Sequence, residues 1–377
     1  MNAQNKWLQS LAITAIVFTV YYFTSTHSTA HDHYVRLADA FLHGKNYILD
    51  PPDWLELIRI DNKGYVIDPP APVLFLIPWV AIWHLHTNQV LISMLLGASS
   101  AGIFWLVTQR LGWAFPFRSA MTILVAFGTN LWWVSDNGGV WMMAHASAVF
   151  FLMLALLEAT GKHRPWLLGL LVGLAGLSRL PVFLSFPFFA YMVGRGLSKK
   201  EALKHLAMFG SVLAFVGGLY LLYTYSEFGT LTLSYDKGQF ISEPIYTHGL
   251  FSLSYIPRQL HAILFNAPDL TSSFPYFRPS SMGLALFVTT PILLYMFRAS
   301  LGRMELMALA SIALVSIPIL TYGATGFAQF GYRFSLDVLP FMILLTASGM
   351  KYSLSPFKIF LVALCCAVNL WGVLLLR

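Results

Sequence analysis

The sequence predicts an all-α polytopic membrane protein with about eleven transmembrane helices, forming one integral membrane domain over residues 1–377. Hydrophobic residues make up 57% of the chain and charged residues only 10%, whereas soluble domains carry about 25% charged residues. Apolar runs of bilayer-spanning length recur along the chain. Because a bilayer offers the backbone no hydrogen-bond partners, these runs are expected to be helices.

The spanning segments are taken from these runs. The first, residues 8–23, follows Lys6 and is either an uncleaved helix or a signal peptide. We favour the uncleaved helix, because cleavage would leave Asp32 almost at a free end. The later helices are expected at residues 89–109, 119–135, 140–160, 166–178, 181–194, 206–226, 282–297, 305–322, 334–350 and 357–376.

The first external loop, residues 25–87, contains seven of the chain's sixteen acidic residues. Within it, apolar residues such as Leu37 and Phe41 recur at helical spacing, which predicts a juxtamembrane amphipathic helix. Two runs of strand-forming residues flank Asp61-Asn62-Lys63-Gly64 and predict a β-hairpin with a glycine-containing turn. The apolar run 73–85 is short and follows a proline-rich segment, so we treat it as non-spanning.

Charge placement sets the orientation of these helices. Thirteen of the 23 Lys and Arg residues, but only three of the sixteen acids, lie on the side of the N-terminus. The positive-inside rule therefore puts the N-terminus in the cytoplasm and the loops 25–87 and 227–281 outside. The net charge of +7 reflects this topology and does not indicate nucleic-acid binding. The short helices 166–178 and 181–194 meet at Arg179, and such a pair is expected to line a cavity or lie buried in protein.

The predicted topology gathers polar side chains at the outer face. They come from the first loop, the turn after the third helix and later loops or helix ends: His31, Asp32, His33, Asp136, Arg179, Arg258 and Arg333. Carboxylates facing arginines suit an anionic, lipid-linked substrate, because the guanidinium fork matches a phosphate. Transfer of a sugar from a polyprenyl phosphate needs charge stabilisation for the leaving phosphate and a general base for the acceptor hydroxyl.

The acidic and histidine candidates also have other interpretations. Asp32 can be the N-cap of the helix that follows it, and Asp136 can be a solvated residue of a turn. His27, His31 and His33 could hold a divalent metal such as Zn²⁺ together with Asp32. Alternating residues in a flexible loop are more often simply polar, so we assign no metal and no cofactor.

The arginine candidates have structural interpretations of their own. Arg179 can pair with Asp136 or Asp337. Arg333 can pair with Asp337, four residues further along one helix face. Arg258 can lie among lipid headgroups.

Several segments resemble the GT-C glycosyltransferases, which use polyprenyl-phosphate sugars and include protein O-mannosyltransferases and lipid A aminoarabinose transferases. These segments are Asp32-His33-Tyr34 followed by Leu37-Ala38, Leu42 and Gly44; Gly64-Tyr65 leading to Pro69-Pro70-Ala71-Pro72; residues 169–175 followed by Ser178-Arg179; and residues 330–334 followed by Leu339-Pro340. The resemblance implies that Asp32 is the catalytic base and that Asp136 is a second acidic residue of the site. Several GT-C relatives have paired acids in the first loop, whereas this chain has His31-Asp32-His33 there.

The sequence is thus interpreted as an inverting glycosyltransferase of a bacterial inner membrane, acting on the cell envelope at the periplasmic face. It would move a sugar from a polyprenyl-phosphate donor to a hydroxyl of a lipid or glycan acceptor. Asp32 and Asp136 would be catalytic, and His31, His33, Tyr65 and the three arginines would bind substrate. Two alternatives stay open. A flippase or transporter of a lipid-linked sugar needs a polar path across the membrane, and a non-catalytic scaffold needs none of these residues.

Overall fold

The computed structural model describes residues 3–231, 233, 243–274 and 276–376, and these residues are mainly helical. In chain order the helices are α1 (Ala3–Thr24), α2 (His33–Leu42), α3 (Val73–Trp83), α4 (Gln89–Arg110), α5 (Phe115–Phe127), α6 (Leu131–Asn137), α7 (Val140–Ala159), α8 (Pro165–Gly176), α9 (Phe186–Gly194), α10 (Lys199–Phe228), α11 (Ile256–Leu264), α12 (Leu286–Thr289), α13 (Arg303–Thr321), α14 (Leu339–Gly349) and α15 (Pro356–Leu375). Short 3-10 helices cover His84–His86, Leu180–Ser185, Pro244–Tyr246, Leu253–Tyr255, Pro291–Arg298 and Arg333–Val338. The strands are β1 (Ile48–Leu49), β2 (Leu57–Ile60), β3 (Lys63–Val66), β4 (Asp269–Leu270) and β5 (Phe277–Arg278).

Six of the described helices are long and apolar enough to cross a membrane: α1, α4, α7, α10, α13 and α15. The helices α3, α5 and α8 are apolar but shorter, as is the helical stretch Leu180–Gly194. This composition supports an integral membrane protein. The expected count of about eleven spans is not reached by length and composition, because several expected helices are short or interrupted.

Three segments that were expected to be continuous helices are interrupted. Residues 119–135 divide into α5 and α6 at Gly128, whose carbonyl accepts a hydrogen bond from the Thr290 hydroxyl at 3.0 Å. Residues 282–297 contain Pro291, which lacks the N–H that a continuing helix requires, so the short α12 is followed by a 3-10 helix. Residues 334–350 begin as the 3-10 helix Arg333–Val338 before α14 starts.

The main core lies around α4 and its neighbours α1 and α7. Both α4 and α7 are buried over most of their length, whereas α1, α10, α13 and α15 leave most of their surface uncovered. Large apolar side chains on these outer helices, such as Phe23, Phe215 and Phe357, point outward. An outward apolar surface on long apolar helices suits contact with lipid.

The first loop contains the expected helix and hairpin. Helix α2 buries one face, which includes Leu37, and a three-stranded antiparallel sheet follows in the order β1-β3-β2. The hairpin turns at Asp61, which has a φ of 54°. Gly64 lies in β3 and not in the turn, and a Cβ there would come within 2.6 Å of the Leu57 side chain. The glycine is therefore required by close packing of the sheet.

The second expected loop, residues 227–281, is partly ordered into elements. Helix α10 continues to Phe228, and α11 and the β4–β5 pair lie further along. Residues 232, 234–242 and 275 of this loop lie outside the described residues. The remainder supplies one wall of the largest cavity described below.

Candidate active site

Gln89 fixes the start of the first loop against the turn that follows α6. Its side-chain oxygen accepts a hydrogen bond from the Val35 backbone N–H at 3.3 Å. Its side-chain amide donates to the carbonyl of His31 at 3.2 Å and to that of Gly138 at 2.7 Å. Because Gln89 is buried, these bonds hold the segment around Asp32 at a defined distance from the turn after α6.

Asp32 is the N-cap residue of α2, but its side chain makes no capping bond. Its Oδ1 atom instead accepts a hydrogen bond from Arg36 Nε at 2.9 Å, in a partly exposed ion pair. The neighbouring His31 lines a cavity of about 1000 Å³. Burial lowers the pKa of His31, while the charge of Asp32 opposes this. The sequence-predicted base therefore lies next to a cavity-lining residue, with Arg36 fixing its orientation.

His33 lies beside His31, with 6.0 Å between the centres of the two imidazole rings. Its side chain is only 1% exposed, and burial lowers the pKa of its imidazole to about 4. His33 is therefore neutral at physiological pH. Among the residues that the structure describes, no group of three or more His, Cys, Asp or Glu side chains is arranged to hold a metal ion.

Asp136 lies at the end of α6 and is 5% exposed. Its carboxylate accepts a hydrogen bond from the Thr24 hydroxyl, and its backbone carbonyl accepts one from Ser25 Oγ at 2.7 Å. Trp132 Nε1 in turn donates to Thr24 Oγ1 at 3.0 Å. The burial of Asp136 rules out a solvated turn residue, and its bonds join the end of α1 to the α6–α7 turn.

A cavity of about 1000 Å³ lies near these residues. It is bounded by the first loop, the start of α7, the α8–α9 junction, the second loop and the C-terminal end of α13. Its charged lining combines three carboxylates with two guanidinium groups: Glu56, Asp68, Glu243, Arg179 and Arg333. Aromatic and aliphatic side chains form most of the remaining wall, for example Trp141, Leu184, Phe251, Tyr322 and Phe334.

The proline-rich segment after β3 brings Asp68 into this cavity. The Tyr34 hydroxyl donates to the Pro69 carbonyl at 3.2 Å, and the Ala71 N–H donates to the Leu177 carbonyl at 3.0 Å. These bonds hold Asp68 near the end of α8. Its carboxylate is buried.

Arg179, at the α8–α9 junction, lines the cavity and forms an ion pair with a buried acid. Its Nη2 lies 3.3 Å from Asp337 Oδ2, and Asp337 is fully buried. Asp337 Oδ1 also lies 2.8 Å from His145 Nδ1. The expectation that the two short helices meet at a cavity is thus confirmed. Of the two acids suggested as partners for Arg179, the structure pairs it with Asp337.

Arg333 also lines the cavity, but the expected ion pair with Asp337 is wrong. Its Nη1 donates to the Phe327 carbonyl and to Gln329 Oε1, each at 3.1 Å. Residues four apart share a face in an α-helix, but this segment is a 3-10 helix with about three residues per turn. Asp337 is consequently turned toward Arg179.

Arg258 and Tyr65 serve the packing of the loops. The guanidinium of Arg258 donates to the carbonyls of Ile245, at 3.1 Å, and Gly323, and it lies 4.7 Å from the centre of the Tyr255 ring. It therefore ties the second loop to the chain after α13. Tyr65 is buried in β3, where its ring packs on those of Tyr47 and Phe228.

The cavity carboxylates Glu56, Asp68 and Glu243 were missed as site residues from the sequence. Asp68 carried a signal, because it directly precedes the Pro69-Pro70 pair of the family-like segment. Glu56 and Glu243 carried none, since both lie in irregular loop segments. In the structure, partial burial raises the pKa of Glu56, and the charges of Asp68 and Glu243 raise it further. Glu56 therefore lies within electrostatic range of both Asp68 and Glu243.

Comparison with known proteins rests on structure. No model of a known protein family matches the sequence, and no curated protein matches it. The structure is similar to that of ArnT from Cupriavidus metallidurans bound to undecaprenyl phosphate, with a TM-score of 0.55 and 14% sequence identity over 95% of this chain. The chain has the GT-C fold. It spans 62% of the length of ArnT.

Two further GT-C glycosyltransferases are similar in structure. One is the Pmt1–Pmt2 protein O-mannosyltransferase complex of S. cerevisiae bound to its sugar donor, with a TM-score of 0.42 and 14% identity over 68% of this chain and 37% of that one. The other is the oligosaccharyltransferase of Archaeoglobus fulgidus in its apo form, with a TM-score of 0.49 and 12% identity over 97% of this chain and 55% of that one.

Proposed function

We propose that this GT-C chain transfers a sugar from a polyprenyl-phosphate donor to a hydroxyl of a lipid or glycan acceptor. The observation that carries the proposal is the cavity of about 1000 Å³, which combines two arginines, three carboxylates and a largely apolar wall. A lipid-phosphate donor needs both cationic groups for its phosphate and apolar surface for its isoprenoid chain. The undecaprenyl phosphate bound to ArnT is a ligand of this chemical class.

The proposed phosphate groups are the guanidiniums of Arg179 and Arg333. Asp337 holds Arg179 from its buried side, and backbone and amide oxygens hold Arg333. A preorganised cation stabilises charge that develops on the leaving phosphate without reorganising during the reaction. Arg258 is committed to two loop carbonyls, so we now assign it to loop packing and not to the phosphate.

The proposed base is Asp32, as the family resemblance implies. Its Oδ1 atom is taken by Arg36, which leaves Oδ2 to accept the proton of the acceptor hydroxyl. The acceptor oxygen would then form a bond to the anomeric carbon as the bond from that carbon to the donor phosphate breaks. The electron pair leaves with the phosphate, and a single displacement of this kind inverts the anomeric centre. Asp136 would act indirectly, through its bonds to the end of α1.

The cavity carboxylates have a separate proposed role in holding the acceptor. Glu56 and Asp68 lie on the cavity wall contributed by the first loop, on the same loop as Asp32. Carboxylates accept hydrogen bonds from sugar or glycan hydroxyls. Loss of either carboxylate should raise KM for the acceptor more than it lowers kcat.

The proposal places the reaction at the outer, periplasmic face of a bacterial inner membrane. Support comes from the excess of Lys and Arg on the loops of the opposite side. The loops 25–87 and 227–281, which this topology puts outside, both contribute to the cavity lining.

The test is turnover of a panel of radiolabelled polyprenyl-phosphate sugars by purified wild-type protein, Asp32→Asn and the matched control Asp39→Asn. Asp39 is an acid of the same helix whose carboxylate lies 3.7 Å from His43. We expect release of labelled sugar from one donor by wild type and Asp39→Asn, and loss of about two orders of magnitude or more in Asp32→Asn. Equal turnover in all three proteins would disprove the base assignment. Tight donor binding with no turnover in wild type would favour a flippase.

A further inference from the structure

A second cavity, of about 700 Å³, lies at the opposite end of α13 from the first. The first cavity is lined by Pro318 and Ile319, near the C-terminal end of this helix. The second is lined by its first residues, Arg303 and Met304. A helix of 19 residues is about 28 Å long, so the two cavities open toward opposite sides of the molecule.

Two cations line the second cavity. Arg195 directly follows α9, Arg303 begins α13, and both are exposed. In the ranges that the structure describes, neither guanidinium makes an ion pair or a side-chain hydrogen bond. Arg164, another arginine predicted on this side, instead pairs with Glu158 at 2.9 Å. The single acid in the lining, Glu305, leaves a net positive charge.

The rest of the lining is aromatic and apolar. Trp113 is buried, and Tyr191 and Tyr352 form further aromatic surface of the cavity. The apolar side chains of Leu111 and Leu344 complete the wall. A small hydrated anion would gain nothing from this surface, whereas the glycerol and first acyl carbons of a lipid would bury it.

We propose that the second cavity binds the phosphate headgroup of an anionic phospholipid, with Arg195 and Arg303 as its ligands. Guanidinium groups bind phosphate oxygens through paired N–H donors. Basic pockets between transmembrane helices on the cytoplasmic side are suited to such headgroups, because that leaflet is rich in anionic lipid. The predicted topology puts this end of α13 on the cytoplasmic side. The bound lipid would bridge α9 and α13, which pack against each other.

The experiment measures the affinity of detergent-purified protein for phosphatidylglycerol by native mass spectrometry, with phosphatidylcholine and inorganic phosphate as separate probes. The variants are Arg195→Gln with Arg303→Gln, the charge-keeping pair Arg195→Lys with Arg303→Lys, and the control Lys200→Gln. Lys200 is an exposed cation at the start of α10. We expect the glutamine pair to bind phosphatidylglycerol roughly tenfold or more weakly than wild type. The affinity of the lysine pair should lie between those of wild type and the glutamine pair. Lys200→Gln should bind the lipid as tightly as wild type.

The zwitterionic lipid and free phosphate are expected to bind much more weakly than phosphatidylglycerol to wild-type protein. Unchanged phosphatidylglycerol affinity in a glutamine pair that elutes as a folded monodisperse protein would overturn the proposal. Inorganic phosphate competing as strongly as the lipid would overturn the lipid assignment. Neither readout requires transferase activity, so the result is independent of the proposed function.

Discussion

Arg179 and Asp337 form an ion pair that joins the α8–α9 junction to the segment before α14, with 3.3 Å between Nη2 and Oδ2. The two residues are 158 positions apart in the sequence, and the acid is fully buried while the side chain of Arg179 is 11% exposed. Asp337 also contacts His145 of α7. Three parts of the bundle therefore meet at one carboxylate on the inner side of the cavity.

Asp337→Asn should destabilise the protein by about 3 kcal/mol, because it leaves the largely buried Arg179 without its counter-ion. The loss would be measured as the shift of the unfolding transition in detergent. Asp39→Asn, which removes an acid from the partly exposed pair with His43, is expected to cost less than about 1 kcal/mol. Equal destabilisation by the two changes would show that the buried pair has no special role.

Arg333→Gln and Arg258→Gln should separate donor binding from loop packing. Arg333 lines the cavity, so its loss should raise KM for the lipid donor roughly tenfold or more. Arg258 binds two loop carbonyls, so its loss should lower stability by about 1–3 kcal/mol with little change in KM. Steady-state kinetics and thermal unfolding of both variants give the comparison, and a larger KM effect from Arg258→Gln would reverse the two assignments.

Gln89→Leu should lower both stability and kcat. The change removes the donor that serves the carbonyls of His31 and Gly138, and leaving buried carbonyls unsatisfied costs about 1–3 kcal/mol. It also releases the segment that carries Asp32. The control is Gln109→Leu, which loses a bond to Gln9 of 2.8 Å at the other end of α4. If both variants keep wild-type kcat, Gln89 does not position the site.

His33 predicts a loss of stability on acidification. Its folded pKa of about 4, lowered chiefly by burial and by the nearby His31, lies below the ordinary value of 6.5, while Asp32 and the backbone of His31 and Glu56 act in the opposite direction. The unfolded chain therefore binds the proton more tightly, and stability falls as pH drops from about 6.5 to about 4. Between about pH 6.5 and pH 4, this effect of His33 lowers the free energy of unfolding by about 3 kcal/mol, at about 1.4 kcal/mol per pH unit.

The measurement for His33 is unfolding by denaturant between pH 7 and pH 4 in wild type, His33→Asn and His43→Asn. The asparagine variant at position 33 should show a flatter decline, since its side chain does not titrate. His43 is exposed at the end of α2, and its variant should follow wild type. A wild-type slope in His33→Asn would mean that another group causes the acid sensitivity.

Local patterns predicted the first loop well. Alternation around Asp61 and helical spacing through Leu37 are short-range signals, and the hairpin and α2 followed them. The composition likewise predicted a membrane bundle, and the junction at Arg179 does line a cavity. The GT-C resemblance was stated from segments spread over most of the chain, and the fold agrees with it.

Long-range packing could not be predicted from the sequence. Hydropathy cannot show that Thr290 bonds to the carbonyl of Gly128 or that a 3-10 turn rotates Asp337 away from Arg333. The cavity acids were missed for the same reason, because Glu56 and Asp68 become neighbours only when the sheet and the proline-rich segment dock. For the same reason hydropathy did not show where the expected spans are interrupted, and the count of about eleven spans stays a prediction.

The proposed donor site is tested most directly by a cryo-EM structure of the protein saturated with undecaprenyl phosphate. We expect the lipid phosphate within about 3 Å of the Arg179 or Arg333 guanidinium, with the isoprenoid chain against the apolar wall of the cavity of about 1000 Å³. A phosphate bound away from both arginines, for example between Arg195 and Arg303 alone, would contradict the assignment of that cavity as the donor site.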